Sequence, residues 1–290
     1  MKKSTLGTIM VLFAALLWSS NAPFVRWLKF DAFTLAGIRS LIAGVVLLPF
    51  LRPKKIKFNL YFLGFVLCFI AVTFGIIVAL KTTSSAIALG MQYTSCIWLF
   101  LLDKPKKKDF AIKRIFPMLL LIAGVVVSMC STSKGVTLVG NLIALSTSFT
   151  FAGLTWFAKK IGTDNPIGLS ALSNLTVGVI ALIIARPTVL LFSSVTAIEW
   201  VVLAYLGVFQ IGAAYALYYS GLRFTSGATA SMLAPLEMIL GPVWTAIFLG
   251  ELPDLIGLIG FIIVIIGVLS EAVVSARFDK TDDTKEVSNG

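Results

Sequence analysis

Histidine is missing from this chain of 290 residues, and charged side chains make up only 13% of it. Without histidine, imidazole catalysis, haem ligation by imidazole and histidine-based pH switching are excluded. The three cysteines, Cys68, Cys96 and Cys130, lie in apolar runs without a CxxC pair, so the spacing indicates neither a disulfide framework nor a metal site. No GxxxxGK[ST] pattern occurs, and direct coupling to ATP within this chain is therefore unsupported.

Apolar residues dominate what is present. They form 58% of the chain, and the mean hydropathy is +0.99. Soluble proteins keep charged residues near about a quarter of their composition, and runs of roughly 20 apolar residues are long enough to cross a bilayer. Because such runs recur along the whole sequence, it predicts an all-α, multi-pass membrane protein. The first run exceeds the apolar core of a signal peptide and more spans follow it, which favours an uncleaved helix.

Ten apolar windows predict ten transmembrane helices. Their limits are 6–26, 33–51, 58–80, 83–102, 115–131, 136–158, 166–185, 197–220, 227–249 and 254–275. The tail over 277–290 is polar and charged and lacks apolar periodicity, so we expect it to be disordered and cytoplasmic.

Lysines and arginines are distributed unevenly between the predicted loops. Of the 24, 18 lie on the side of the amino terminus, 5 lie on the opposite side and Arg39 lies within a span. Because cytoplasmic loops are enriched in these residues, the distribution predicts both termini in the cytoplasm and a location in the inner (plasma) membrane. It also explains the net charge of +11 without a nucleic-acid partner.

The two halves of the chain resemble each other. Gly7 and Gly140 open corresponding spans at an offset of 133, and "ALKTTSSA" matches "GLRFTSGA" at an offset of 142. Each half holds five predicted spans, and an odd number turns the second half upside down relative to the first. The sequence therefore predicts two inverted five-helix repeats, 1–132 and 133–276, around a central cavity where a substrate binds near the midplane.

Glu237 is an acid in the middle of an apolar run. Pro235 and Pro242 flank it and predict helix breaks, because each proline lacks a backbone donor. Gly241 and Trp244 follow at helical spacing on the same face. Intramembrane acids face the bundle interior or a wet cavity, so Glu237 is a candidate to bind a substrate ammonium group or to carry a proton. The alternative is a structural acid bonded to a neighbouring helix.

Arg39 is the cation that lies well inside a span. It could clamp a carboxylate or a phosphate through two hydrogen bonds. Alternatively, it extends towards the membrane surface or pairs with a helix carboxyl terminus. The sequence favours the structural role.

Pro23 predicts a further helix break, in the first span. Aromatic and amide side chains cluster in the predicted spans. The candidate pocket residues are Trp18, Asn21, Gln92, Tyr93, Trp98, Gln210, Tyr215, Tyr218 and Trp244. Pockets combine an apolar wall with a few polar groups, as these do. The alternatives are an interfacial aromatic belt and amides that only join helices.

The second half also resembles a known family. "AL" with a basic residue closes one helix, small residues open the next, and "PLE", "GE" and "G…GV" follow. With "GTIMVLFAALLWSSNAPFVRW" and "LAGIRSLIAGVVLLP" in the first half, the chain resembles the EamA family of the drug/metabolite transporter superfamily. That resemblance implies ten helices and alternating-access transport of a small metabolite. The fourth span departs from the pattern, because it lacks a proline at the position of Pro235 and ends at Asp103.

These features predict a secondary active transporter of a small metabolite, an amino acid or related amphiphile, working in export. The alternatives are a carrier of organic cations or hydrophobic drugs and a passive channel. A membrane enzyme is disfavoured, because neither a histidine nor a paired intramembrane aspartate is present. We expect no cofactor and no metal, a small-molecule substrate and membrane lipid as partners, and a homodimer as one possible assembly.

Overall fold

The computed structural model describes residues 3–102, 112–131, 136–162, 164–224, 233 and 236–288. Helices form all the regular structure in these ranges, and no strand occurs in them. The predicted helix break at Pro235 and the acid at Asp103 lie outside the described residues. The helices are α1 (Lys3–Ser19), α2 (Asn21–Trp27), α3 (Ala32–Leu47), α4 (Leu60–Thr82), α5 (Ser85–Tyr93), α6 (Ser95–Leu102), α7 (Ile112–Met129), α8 (Leu138–Ile161), α9 (Pro166–Ala185), α10 (Val189–Ser193), α11 (Ala197–Tyr205), α12 (Ala214–Gly221), α13 (Leu236–Leu249) and α14 (Leu255–Ser288).

Seven helical segments of the described chain are long and apolar enough to cross a membrane. They are Thr5–Trp27, Ala32–Phe50, Leu60–Thr82, Ser85–Leu102, Leu138–Ile161, Pro166–Ala185 and Ala197–Gly221. Three shorter apolar helices correspond, in order, to the three remaining predicted spans. They are Ile115–Met129, Leu236–Leu249 and Leu255–Ser270. A helix rises about 1.5 Å per residue, so about 20 residues match the ~30 Å hydrocarbon core.

Short polar side chains define where several helices begin. Asp31 accepts hydrogen bonds from the backbone N–H groups of Phe33 and Thr34 at the start of α3. The Thr137 hydroxyl accepts the Gly140 N–H at the start of α8. These contacts satisfy donors that the first turn of a helix leaves without an intrahelical acceptor. The loop residues of the sequence therefore fix the helix starts as well as separating the spans.

Three spans are interrupted near their centres. The first divides at Ser20, directly before the turn that holds Pro23, and the fourth divides at Thr94. The span that begins with α11 passes through a π-helix, Leu206–Ala213, before α12. The predicted break at Pro242 is wrong, because α13 continues through it. A proline inside a membrane helix removes one backbone hydrogen bond, and surrounding helices can compensate for that loss.

The carboxyl-terminal tail also departs from the prediction. We expect disorder from residue 277, but α14 continues to Ser288. Neither glycine nor proline occurs between Gly267 and Ser288, so the sequence carries no residue that would end the helix early.

Small residues allow the helices to pack closely. A Cβ atom on Gly44 would lie 2.6 Å from Leu175 Cγ, and one on Gly178 would lie 2.6 Å from Leu41 Cγ, where α3 runs along α9. α4 packs along α8, α7 along α14, and α1 against both α12 and α13. Close approach through glycine is a common packing mode between membrane helices. This arrangement brings α1, α3, α4, α8 and α13 around a shared interior.

Candidate functional site

A cavity lies in the middle of the helix bundle. Its volume is about 30 Å³, far below the roughly 300–1,000 Å³ of pockets that hold drug-sized ligands. The cavity is therefore narrow in this conformation. Its wall is formed by Trp18, Asn21, Arg39, Val72, Thr73, Ile76, Gln92, Phe151, Gln210, Ile211, Tyr215 and Glu237.

Glu237 lies in the first turn of α13 and is only 6% exposed. The Tyr93 hydroxyl, at the end of α5, donates a hydrogen bond of 2.7 Å to Glu237 Oε2. The partner of this carboxylate oxygen is therefore a side chain, and not a backbone group left free by a break in a neighbouring helix. One carboxylate oxygen is thus held by the first half of the chain while the residue forms part of the cavity wall.

Arg39 is buried in the same cavity, with 1% of its surface exposed. Its Nη1 donates a hydrogen bond of 2.7 Å to Asn21 Oδ1 on α2. The expectation that Arg39 extends towards the membrane surface is therefore wrong. Sequence position shows the depth of a residue in its span but not which face of the helix carries it, and α3 turns this face towards the cavity.

The aromatic part of the wall is a packed cluster. The Trp18 ring centroid lies 5.0 Å from those of Tyr215 and Tyr218, and Tyr215 stacks on Tyr219 at 5.7 Å. Aromatic pairs at these separations stabilise each other by about 0.5–1.5 kcal/mol beyond their burial. Trp18 and Tyr215 line the cavity, whereas Tyr218 supports Trp18 from behind. The cluster supplies a rigid apolar surface beside the two charged groups.

Four polar atoms of cavity residues are buried without a hydrogen-bond partner in the described chain. Two are donors, Trp18 Nε1 and Arg39 Nε, and two are acceptors, Gln92 Oε1 and Gln210 Oε1. Buried polar groups are paired in the great majority of cases, and an unpaired one costs about 1–3 kcal/mol. A ligand that both donates and accepts hydrogen bonds would satisfy this set.

Four predicted pocket residues are not part of the cavity wall, namely Tyr93, Trp98, Tyr218 and Trp244. Trp98 is 37% exposed, and its Nε1 donates to Ser148 Oγ at 2.9 Å. Trp244 donates to Ser19 Oγ at 3.1 Å and joins α13 to α1. On an unbroken helix, Trp98 would already point about 120° away from Gln92, six positions earlier, and the break at Thr94 further separates α6 from α5.

Several wall residues escaped sequence analysis, namely Val72, Thr73, Ile76, Phe151 and Ile211. Most are apolar residues in apolar helices and carry no distinguishing signal. Phe151 could have been found, because it follows Trp18 by 133 positions, the offset that relates Gly7 to Gly140. Thr73 is a polar residue in the middle of α4 and was a second available signal.

A second, wider cavity of about 470 Å³ lies at one end of the bundle, where α2 meets the turn before α14, and is called the outer cavity below. Arg26 Nη1 donates hydrogen bonds of 2.7 Å to the Leu80 and Thr83 carbonyl oxygens, and Arg26 also forms an ion pair with Glu251. Asp254 accepts from the Ser131 hydroxyl and the Gly257 N–H. These charges hold protein elements together.

Among the described residues, no group of three or more cysteines, aspartates and glutamates could hold a metal ion. The site therefore consists of one acid, one arginine, amide and indole groups, and an aromatic wall. These features within a bundle of apolar helices define a multi-pass membrane protein whose buried, charged cavity is suited to a polar small molecule.

The chain belongs to the EamA-like transporter family, whose model matches residues 5–130 and again residues 138–270. It is thus a membrane-embedded transporter of the drug/metabolite type, built from two repeats of one unit. The resemblance drawn from the sequence motifs is confirmed.

One curated relative, an uncharacterized transporter of Clostridium kluyveri, is 27% identical over 310 aligned positions, which cover 98% of this chain and 97% of the relative. A solved structure described only as the crystal structure of a protein is 17% identical, with a TM-score of 0.66 over 95% of this chain and 99% of the other. That second likeness supports the fold alone.

Proposed function

We propose that the protein is a secondary active transporter that works by alternating access and exports a small zwitterionic amphiphile, an amino acid or a related metabolite. The observation that carries this proposal is the meeting of Arg39 and Glu237 in one cavity wall. Both side chains lie within the described part of the chain, and no ion pair joins them there. A ligand with both a carboxylate and an ammonium group would pair its carboxylate with Arg39 and its ammonium group with Glu237.

The aromatic wall supports the amphiphile part of the proposal. Trp18, Phe151 and Tyr215 line the cavity together with the two charges. A small molecule with polar ends and an apolar side chain would bury that side chain against these rings, at about 25 cal/mol per Å² of apolar surface. L-Phenylalanine has this chemistry and is a suitable probe.

For the architecture, we propose ten crossings in two inverted repeats, 1–132 and 133–276. The helix packing supports it: the first-half helix α4 packs on α8 as the second-half helix α12 packs on α1. The contacts of α3 with α9 and of α7 with α14 each join corresponding helices. A two-fold axis that relates the repeats would exchange the α4–α8 contact with the α12–α1 contact. It would map the α3–α9 contact and the α7–α14 contact onto themselves. Inverted-repeat transporters require such a relation.

We propose the plasma membrane as the location, with both termini in the cytoplasm. The distribution of lysine and arginine supports it, since 18 lie on the predicted inner side and 5 on the outer side. In a chain without its native cysteines, the Lys54→Cys thiol should be protected from an impermeant reagent added outside cells. The Lys29→Cys thiol should react with that reagent, and the opposite result would reverse the orientation.

Binding of three related probes to the purified protein tests the substrate class. L-Phenylalanine carries both charges, 3-phenylpropionate only the carboxylate and 2-phenylethylamine only the ammonium group. We expect L-phenylalanine to raise the melting temperature most and to bind at least about tenfold more tightly than either analogue, since each loses a charge-assisted interaction. Equal binding of 2-phenylethylamine would contradict the zwitterion and favour a carrier of organic cations.

Transport in proteoliposomes separates a carrier from a channel. A carrier must change conformation in each cycle, so uptake of labelled L-phenylalanine should saturate and should rise when unlabelled L-phenylalanine is enclosed. A flux that increases linearly with the concentration of L-phenylalanine, and that does not change when unlabelled L-phenylalanine is enclosed, would indicate a passive pore.

A further inference from the structure

The span that begins with α11 contains a π-helix of 8 residues, Leu206–Ala213. In an α-helix each N–H bonds the carbonyl four residues before it, whereas a π-helix uses the carbonyl five residues before it and so fits extra chain into the same length. The Ala214 N–H, for example, points to the carbonyl oxygens of Ile211 and of Phe209, the latter five residues before it. Such segments are rare and occur mostly at functional sites.

The π-helix changes which side chains can share the cavity wall. Gln210 and Tyr215 both line the cavity, although they are five positions apart. On a regular α-helix, residues five apart point about 140° away from each other. Without the π-helix, Tyr215 would keep its place at the wall while Gln210 would turn towards another face.

Close packing holds the π-helix against the helix that carries Arg39. A Cβ atom on Gly207 would lie 2.9 Å from the Arg39 carbonyl oxygen and 2.5 Å from Ile42 Cβ. The segment contains no proline that would force an irregular helix by removing a donor. The irregularity thus lies directly opposite the turn of α3 that presents Arg39.

Gln210 carries a buried acceptor that no group of the described chain satisfies. It is 2% exposed, and its Oε1 has no hydrogen-bond partner there. A glutamine that only joined helices would have that oxygen satisfied by the helix that it joins. An acceptor held at a cavity wall and left unpaired is available to a ligand.

We propose that the π-helix is a positioning element that turns Gln210 into the cavity, where its amide selects ligands that carry a hydrogen-bond donor. The proposal rests on the transport function proposed above. It adds that Gln210, together with Glu237, recognises the end of the substrate that carries the hydrogen-bond donor. On this proposal, the extra residue of the π-helix is needed for ligand recognition and is not needed for packing of the helix bundle.

A matched pair of single-residue deletions tests the positioning without any ligand. Deleting Phe209 restores a regular helix but leaves Gln210 five positions before Tyr215, about 140° away from it. Deleting Ala213 also restores a regular helix but leaves Gln210 four positions before Tyr215, about 40° away. Both deletions shorten the same segment by one residue, and only the first should move Gln210 off the wall.

Thiol labelling reads the direction of position 210 directly. In a chain with Cys68, Cys96 and Cys130 replaced by alanine, the Gln210→Cys thiol should react with a small cationic methanethiosulfonate reagent. We expect a similar rate with Ala213 deleted and a rate lower by roughly tenfold with Phe209 deleted. The lipid-facing variant Ala204→Cys is the control, and its slow reaction should be the same in all three chains.

Probe binding then tests selectivity. We expect the preference for L-phenylalanine over 3-phenylpropionate to fall by about tenfold in Gln210→Met, since one hydrogen bond is lost. The Phe209 deletion should show the same fall, whereas the Ala213 deletion should keep the preference of the wild type.

The outcomes separate this inference from the proposed function. If none of the probes binds the wild type, the proposed substrate class fails, while the labelling rates still decide whether the π-helix positions residue 210. If both deletions fail to fold, if both label alike, or if the Gln210→Cys thiol does not react in the undeleted chain, the positioning role is wrong. Unchanged selectivity in Gln210→Met would also overturn it.

Discussion

The two cavities of the protein treat their charged groups in opposite ways. In the wide outer cavity, Arg26 bonds two carbonyl oxygens of the α4 end and pairs with Glu251, and Asp254 caps α14. In the narrow central cavity, Arg39 Nε and the Gln210 Oε1 atom have no partner within the described chain. The outer charges join segments of the protein to one another. The central charges also bond neighbouring helices, through Arg39 to Asn21 and through Tyr93 to Glu237, but the central cavity keeps buried atoms without a partner in the described chain.

This difference indicates how a binding site can be recognised in a membrane protein. Burial separates the charges of the two cavities, because Arg39 and Glu237 are 1% and 6% exposed, whereas the Arg26 and Glu251 side chains are 19% and 43% exposed. Unpaired buried atoms also mark the central cavity, where four lack a hydrogen bond within the described chain, whereas at the outer cavity only Arg26 Nε lacks one and it lies in ion-pair contact with Glu251. Leaving such atoms unpaired costs free energy unless another molecule satisfies them. The comparison predicts that substitutions at the central cavity change ligand affinity, and that substitutions at the outer cavity change stability.

The largest effect is expected for Arg39→Gln. Loss of the guanidinium removes a charge-assisted bond to the ligand carboxylate, and affinity for L-phenylalanine should fall by roughly a hundredfold. Arg39→Lys should recover little, because an ammonium group lacks the planar fork of arginine. Isothermal binding measures both. Arg223→Gln removes an exposed cation that pairs with Asp164 and should leave affinity unchanged; an equal loss there would point to a general effect of charge.

Glu237→Gln should come next. An amide can still accept the Tyr93 hydrogen bond, so the fold should be kept while affinity for L-phenylalanine falls by about tenfold or more. Uptake into proteoliposomes measured across pH then tests proton coupling, because the variant cannot carry a proton at this position. If Glu237→Gln transports as the wild type does at every pH, both the ammonium and the proton roles fail. Glu251→Gln is the matched control at the outer cavity.

A smaller effect is expected for Trp18→Phe. The substitution keeps an aromatic ring against Tyr215 but removes the unpaired Nε1 donor, so affinity should fall by about three- to tenfold. Trp98→Phe removes a donor that bonds Ser148 instead of facing the cavity, and the affinity should stay the same. Equal effects of the two variants in a binding titration would contradict the assignment of the cavity wall.

The smallest effect on affinity is expected for Arg26→Met. The variant loses two hydrogen bonds to carbonyl oxygens and a partly exposed ion pair, and bonds from charged donors contribute about 1.5–3 kcal/mol. The melting temperature should therefore fall measurably, while affinity for L-phenylalanine should change by less than about twofold. A large loss of affinity with unchanged stability would place a ligand site in the outer cavity and reverse the comparison.

The sequence predicted the membrane class, the family and the burial of Glu237 because these depend on composition, motif order and the cost of placing an acid in hydrocarbon. It did not predict the direction of Arg39. An almost uniformly apolar helix such as α3 carries no polar face from which its orientation could be read, so only packing against α9 and the π-helix shows which way Arg39 points.

Irregular helix geometry explains the other differences. Trp98 lies beyond the break at Thr94 and outside the wall, and the π-helix brings Gln210 and Tyr215 together against the expectation for a regular helix. Proline marks only the possibility of a break: the first span is interrupted just before Pro23, whereas α13 passes through Pro242. Neighbouring helices decide these outcomes, and a single sequence does not record them.

A structure of the protein with L-phenylalanine bound tests the account most directly. We predict density in the central cavity, with the carboxylate within hydrogen-bond distance of the Arg39 guanidinium and the ammonium group facing Glu237 and Gln210. The ring should lie against Trp18 and Tyr215. Density in the outer cavity beside Arg26, or a Glu237 carboxyl group that faces the lipid, would contradict the account.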